Sequence, residues 1–140
     1  MEACPSILAP ETKIRAVIAP ALLILRQQEV FEEKVFILGG EVENDVAMIR
    51  EVIEISGLFT QGEFKISFQE WLNAVRELES RGVDYIGILH THPYSTFIPS
   101  PLDVLRMSEC PGEIWIIVSP RGAKAWVYDS QLRELELILS

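Results

Sequence analysis

The only two histidines of the chain stand as His90-Thr91-His92. In an extended backbone, side chains two residues apart point to the same face. Two imidazoles at the end of one strand can therefore converge on one ion, and imidazole is a common zinc ligand. A pair is not yet a site, since the same spacing also fits one packed and one exposed histidine. A third ligand is available at Asp103, at the start of a helix reached through a loop stiffened by Pro93 and Pro99. Three protein ligands and one open position make a catalytic zinc arrangement, in which the pKa of a water at the open position falls towards neutrality. Ser100-Pro101-Leu102-Asp103 is equally a plain helix start, with serine at the N-cap and proline at the first helical position. The two readings are compatible, because a capped helix start fixes where Asp103 points.

The elements that must position these residues are read from periodicity and punctuation. Lys13 to Val17 reads as a short strand, followed by a helix from Pro20 to about Glu29. Lys34 to Gly39 is an apolar run closed by Gly39-Gly40, a buried strand, and Val46 to Ile55 is another. Gly57 to Gly62 reads as a loop. Ser67 and Glu70 form an S-x-x-E box ahead of a helix carrying Phe68, Trp71, Leu72 and Val75, which Gly82 ends. Val83 to His90 is a buried strand and His92 to Pro99 a loop. Glu113 to Val118, Ala123 to Tyr128 and Leu132 to Leu139 are closing strands, with Arg121-Gly122 as a hairpin turn. Strands mixed with about three helices imply an α/β fold, a mixed central β-sheet flanked by helices. The three tryptophans, Trp71, Trp115 and Trp126, read as core.

With 140 residues the chain fits one domain, and 49% hydrophobic with 24% charged residues is an ordinary globular composition. The net charge of -9 repels phosphate backbones, so nucleic acid is not expected as a substrate. The apolar run Ala16 to Leu25 is too short to span a bilayer and is interrupted by Pro20, so no membrane association is expected. The N-terminus lacks the basic start of a secretory signal, and a cytoplasmic location is expected. Cys4 and Cys110 match neither a zinc ribbon nor a redox motif, and two unpaired thiols are expected. A disulfide between them is the alternative, at home in a hyperthermophile.

The string His90-Thr91-His92-Pro93, residues 94–99, then Ser100-x-x-Asp103 resembles the JAMM motif of the MPN-domain zinc metalloproteases. That family's pattern is H-[ST]-H-P, a loop of fixed length and S-x-x-D, with a glutamate upstream. The order of strand, proline-led helix, glutamate and glycine-ended apolar strand also matches, in Ile14 to Val17, Pro20 to Glu29 and Glu32 to Gly40. The resemblance implies one MPN (cytidine-deaminase-like) domain over residues 1–140. It implies Zn2+ on His90, His92 and Asp103, an upstream glutamate as general acid–base, and Ser100 as a hydrogen-bond donor to the oxyanion. The family glutamate stands a fixed distance before the strand-ending glycine. Gly40 selects Glu33 and Gly39 selects Glu32, and the spacing into Val42 favours Glu33. Phe36 departs from the pattern, which often has glycine or alanine there.

What the resemblance implies about substrates is a bond after the C-terminus of ubiquitin or a ubiquitin-like small modifier, cleaved by an isopeptidase like the deubiquitinases. Residues Gly57 to Ile66 would wall the groove for the modifier's tail. Too few residues follow Asp103 for the insertion some eukaryotic members carry, which points to an archaeal type. A processing peptidase for a ubiquitin-fold sulfur carrier is one alternative, and a metal-free scaffold is another. Tyr94, Thr96 and Phe97 lie in the loop beside the metal; Phe97 reads as structural, with substrate contact as the alternative.

Overall fold

The computed structural model describes residues 15–23, 33–55, 57–60, 63–93 and 96–140. In chain order the strands are β1 (Arg15–Ile18), β2 (Val35–Glu43), β3 (Val46–Ile55), β4 (Gly57–Thr60) and β5 (Glu63–Ile66), followed by β6 (Asp84–Thr91), β7 (Ile114–Ser119), β8 (Gly122–Tyr128) and β9 (Leu132–Leu139). Residues 20–23 are helical (α1), with Pro20 first as expected; the rest of the expected helix, to about Glu29, lies outside the described residues. Two further helices are α2 (Phe68–Ser80) and α3 (Pro101–Glu109).

Seven strands close into a barrel in the order β1-β3-β2-β6-β7-β8-β9. This corrects the expected mixed central sheet flanked by helices. The sheet is mixed, with parallel pairs at β1–β3, β1–β9 and β6–β7, but it has curled shut. Closure comes from one short strand: Arg15 lies opposite Val46 on one side and opposite Glu136 on the other. The first and last of the described strands thereby become neighbours. All seven strands and Leu23 contribute to the apolar cluster that fills the barrel, including Ile18, Phe36, Ile49, Leu89, Ile116 and Val127. A second cluster joins the other face of β2, β6 and β7 to α2 and α3, through Val35, Ile37, Ile88, Trp115, Trp71, Leu78 and Met107. Strands buried on both faces explain why β2, β6 and β7 read as continuous apolar runs.

Two further expectations are corrected. Gly57 to Gly62 is not simply a loop, because β4 and β5 pair as a hairpin, Gly57 opposite Ile66. The strand beginning near Lys34 does not end at Gly39-Gly40. It runs on to Glu43, with a register shift against β3 between the two glycines. A Cβ on Gly40 would lie 1.8 Å from the Met48 carbonyl oxygen, so the bulge needs glycine for close backbone approach. Asn44 and Asp45, both at positive φ, then turn the chain into β3.

The helix starts are built as their sequences suggest. Ser67 Oγ accepts from Glu70 N–H, and Gly82 takes positive φ just past the end of α2. Cys110 caps the end of α3, is buried, and is disulfide-bonded, which overturns the expectation of unpaired thiols. Cys4 lies outside the described residues.

The turn between β8 and β9 gives a pH-dependent result. Asp129 accepts from the Ser130 and Gln131 N–H groups and from Arg133, and its carboxyl is lowered from 3.8 to about 2, the Ser130 amide contributing most. A lowered carboxyl stabilises the fold above its unfolded pKa and loses that contribution as pH falls through the folded one. Asp129→Asn is therefore expected to lower the melting temperature at neutral pH. Thermal scans should show the gap to the native chain closing between about pH 4 and pH 2.

Candidate metal centre

β6 runs between β2 and β7 in the barrel, and its C-terminal end carries His90 and His92. His92 lies one residue past the strand, its N–H held by the Val118 carbonyl at 2.7 Å. The rings sit edge to face with centroids 4.8 Å apart, so the i, i+2 spacing does bring both to one face. Asp103 arrives from the first turn of α3. Its Oδ1 lies 3.1 Å from His90 Nδ1 and its Oδ2 lies 3.0 Å from His92 Nε2. All three side chains are at most 4% exposed.

The helix start and the ligand are one device. Asp103 N–H donates to Ser100 Oγ at 3.1 Å, and Ser100 N–H donates to Asp103 Oδ2 at 2.9 Å, a reciprocal capping box with Pro101 at the first helical position. Burial pushes the Asp103 carboxyl up, but the hydrogen bonds with His90 and His92, the charge of His90 and the Ser100 amide outweigh it, and the net shift is downwards. The carboxylate is thus held ionised at any working pH, as a metal ligand requires.

One ligand atom from each residue falls within 4.8 Å of the others, and among the described residues this is the group of that kind. Two imidazoles and an ionised carboxylate are a donor set suited to zinc. His92 Nδ1 is buried and has no hydrogen-bond partner, a polar atom that a ligand could satisfy. The residues present therefore fit a resident metal ion.

Beside the ligands lies a cleft of about 340 Å³ lined by Glu33, His92, Thr96, Ile98, Pro99 and Ser100. Both non-ligand residues expected in the site, Glu33 and Ser100, thus border it together with a ligand. β2 pairs with β6 so that Val35 lies opposite His90. One residue before β2, the Lys34 carbonyl accepts the Thr91 N–H at 3.0 Å, and Glu33, next in the chain, lines the same cleft as His92. Glu32 and Tyr94 lie outside the described residues. Phe97 is half-buried, and its carbonyl accepts from Trp126 Nε1 at 3.0 Å.

A buried polar cluster behind the ligands escaped the sequence reading. Glu113 is 1% exposed and accepts from the Tyr85 hydroxyl, from Arg106 Nη2 at 3.2 Å and from Trp115 Nε1 at 3.3 Å. Burial pushes its carboxyl up, against the opposing pull of Arg106 and of the hydrogen bonds. Burial, then the charge of Glu113, pushes Tyr85 well above its usual value, so its hydroxyl stays a donor. Arg106 is on α3 one turn after Asp103, and the Trp115 ring stands edge-on to His90 at 6.3 Å. A glutamate heading an apolar strand reads as solvated, and nothing in the sequence marks this one otherwise.

Residues 3–129 match the family model described as prokaryotic homologs of the JAB domain. The chain belongs to this prokaryotic JAB family. The JAMM resemblance of the motif agrees with that membership. Among curated relatives, this JAB chain is 32% identical over 80 residues to a desampylase of Pyrococcus furiosus, covering 55% of this chain and 56% of that protein. It is 35% identical over 77 residues to a desampylase of Haloferax volcanii, covering 53% and 54% respectively. The matches thus span about half the length of these relatives. In fold, the JAB chain is similar to the solution structure of a protein from Desulfitobacterium hafniense, with a TM-score of 0.73, 24% identity and 89% and 92% of the two chains covered. It is also similar to that of a protein from Salinibacter ruber, with a TM-score of 0.62, 18% identity and 88% and 90% covered. Among the described residues, no helix is long and apolar enough to cross a membrane.

Proposed function

We propose that residues 1–140 form a single catalytic domain, a zinc-dependent isopeptidase that hydrolyses the bond after the C-terminus of a ubiquitin-like small modifier in the cytoplasm. The observation that carries this reading is the buried convergence of His90, His92 and Asp103 beside a cleft shared by Glu33 and Ser100. The desampylases of two archaea among the relatives support the substrate class.

His90, His92 and Asp103 would hold the zinc, which when bound would supply Lewis-acid activation of the attacking water and the scissile carbonyl. Glu33, which lines the cleft together with His92, would take a proton from that water and return it to the leaving lysine amine. Ser100 Oγ already accepts the Asp103 amide hydrogen. Its own hydroxyl hydrogen is then left to donate to the oxygen that gains charge as the carbonyl becomes tetrahedral. The β4–β5 hairpin forms a wall for the extended tail of the modifier.

The test is incubation with an archaeal ubiquitin-like modifier conjugated to a lysine side chain. Cleavage is expected, with loss on chelation, recovery on adding zinc, and no effect of a thiol alkylator under reducing conditions. An intact conjugate in the presence of stoichiometric zinc would rule out the proposal. Release only of residues trimmed from a ubiquitin-fold sulfur carrier would transfer the activity to a processing peptidase.

A further inference from the structure

We propose that Thr91, between the two histidines, is the positioning residue for Glu33. The inference rests on the catalytic reading given to Glu33 above. Alternation turns the Thr91 side chain to the face opposite His90 and His92. There it is 2% exposed, and its hydroxyl lies against the backbone of Lys34, the residue next to Glu33. Lys34 N–H donates to Thr91 Oγ1 at 2.7 Å, and the Thr91 hydroxyl lies 3.5 Å from the Lys34 carbonyl oxygen, which also accepts the Thr91 N–H at 3.0 Å.

This closes the end of the β2–β6 ladder in an unusual way. Val35 is the first residue of β2, and its partner is His90. One residue earlier, a side chain rather than a main-chain carbonyl takes the amide hydrogen of Lys34. Lys34 is thereby bonded through both its N–H and its C=O to one residue, and that residue sits between two ligands. One bond from each of the two peptide units flanking Lys34 restricts how they can rotate, and the bond to the Glu33–Lys34 peptide fixes the direction in which the Glu33 side chain leaves the backbone. The strand that sets the ligands also sets the distance from ligand to base. A general base must lie within hydrogen-bond reach of the proton it removes, and a shift of about 1 Å costs on the order of 100-fold in rate.

Thr91→Val keeps the shape and removes the hydroxyl, whereas Thr91→Ser keeps the hydroxyl. With the zinc-loaded enzyme and an archaeal ubiquitin-like modifier conjugate, the valine variant is expected to lose on the order of 10–100-fold in kcat, with KM and zinc affinity unchanged. The serine variant should restore kcat. Independently of activity, amide hydrogen exchange should show Lys34 protected in the native chain and in Thr91→Ser, and exposed in Thr91→Val. Native-like kcat in Thr91→Val overturns the proposal, as does loss of zinc from that variant. Exchange of Lys34 in the native chain at the rate of a free amide also overturns it, and needs no variant to fold. If the zinc-loaded native chain leaves conjugates intact, the isopeptidase reading fails while the exchange data still decide whether Thr91 fixes Lys34.

Discussion

Glu33→Gln retains zinc and loses between about 10²- and 10⁴-fold in kcat on a modifier conjugate, the range that general acid–base catalysis supplies. Glutamine has nearly the same volume and can still hydrogen-bond to a water, but it cannot carry the proton. Metal content is untouched because the three ligand side chains belong to β6, the residue after it, and α3. Zinc per chain and kcat, measured on the same preparation, separate loss of the base from loss of the metal. Glu32→Gln is the control and should behave as the native chain. Full activity in Glu33→Gln together with loss in Glu32→Gln would place the base one residue earlier.

Glu113→Ala is expected to destabilise the fold by about 3–5 kcal/mol, the usual result of removing one partner of a buried ion pair. Arg106 would keep a side chain only 10% exposed with its charge uncompensated, and the Tyr85 hydroxyl and Trp115 Nε1 would lose their acceptor. Denaturant unfolding of the metal-free chain reads this directly. Glu113→Gln is milder, on the order of 1–3 kcal/mol, because most of the hydrogen-bonding capacity survives in a side chain of the same shape. Its pH dependence has a definite sign. Burial raises the Glu113 carboxyl above its ordinary 4.5, so its contribution is complete below that value and is lost as pH rises through the folded pKa. The gap between native and Glu113→Gln chains should therefore narrow as pH is raised from acid. Both variants should also weaken zinc binding, since the cluster steadies α3 one turn beyond Asp103 and backs the ring that abuts His90.

The convergence of His90, His92 and Asp103 was legible because chemistry and geometry share a short stretch of chain. His90 and His92 are fixed relative to each other by strand alternation, and Asp103 by a helix start whose serine and proline announce it. The strands were legible for the same local reason, apart from the β4–β5 hairpin, where Gly57 and Gly62 gave a loop signal that outweighed the alternation around them. Barrel closure was not legible. It depends on β1 lying between β3 and β9, contacts that span the whole chain and leave no trace in periodicity. The disulfide of Cys110 and the burial of Glu113 are equally non-local. Each depends on what the fold brings up from far away in sequence.

The capping box at Ser100 has a thermodynamic consequence. One carboxylate both closes the first turn of α3 and offers itself to a cation, so occupancy and helix integrity are linked functions. An ion that binds only the folded chain adds its binding free energy to the start of α3, and a frayed α3 raises the dissociation constant by the fraction of molecules in which Asp103 has swung away. Affinity for the metal is therefore set partly by how firmly a helix begins.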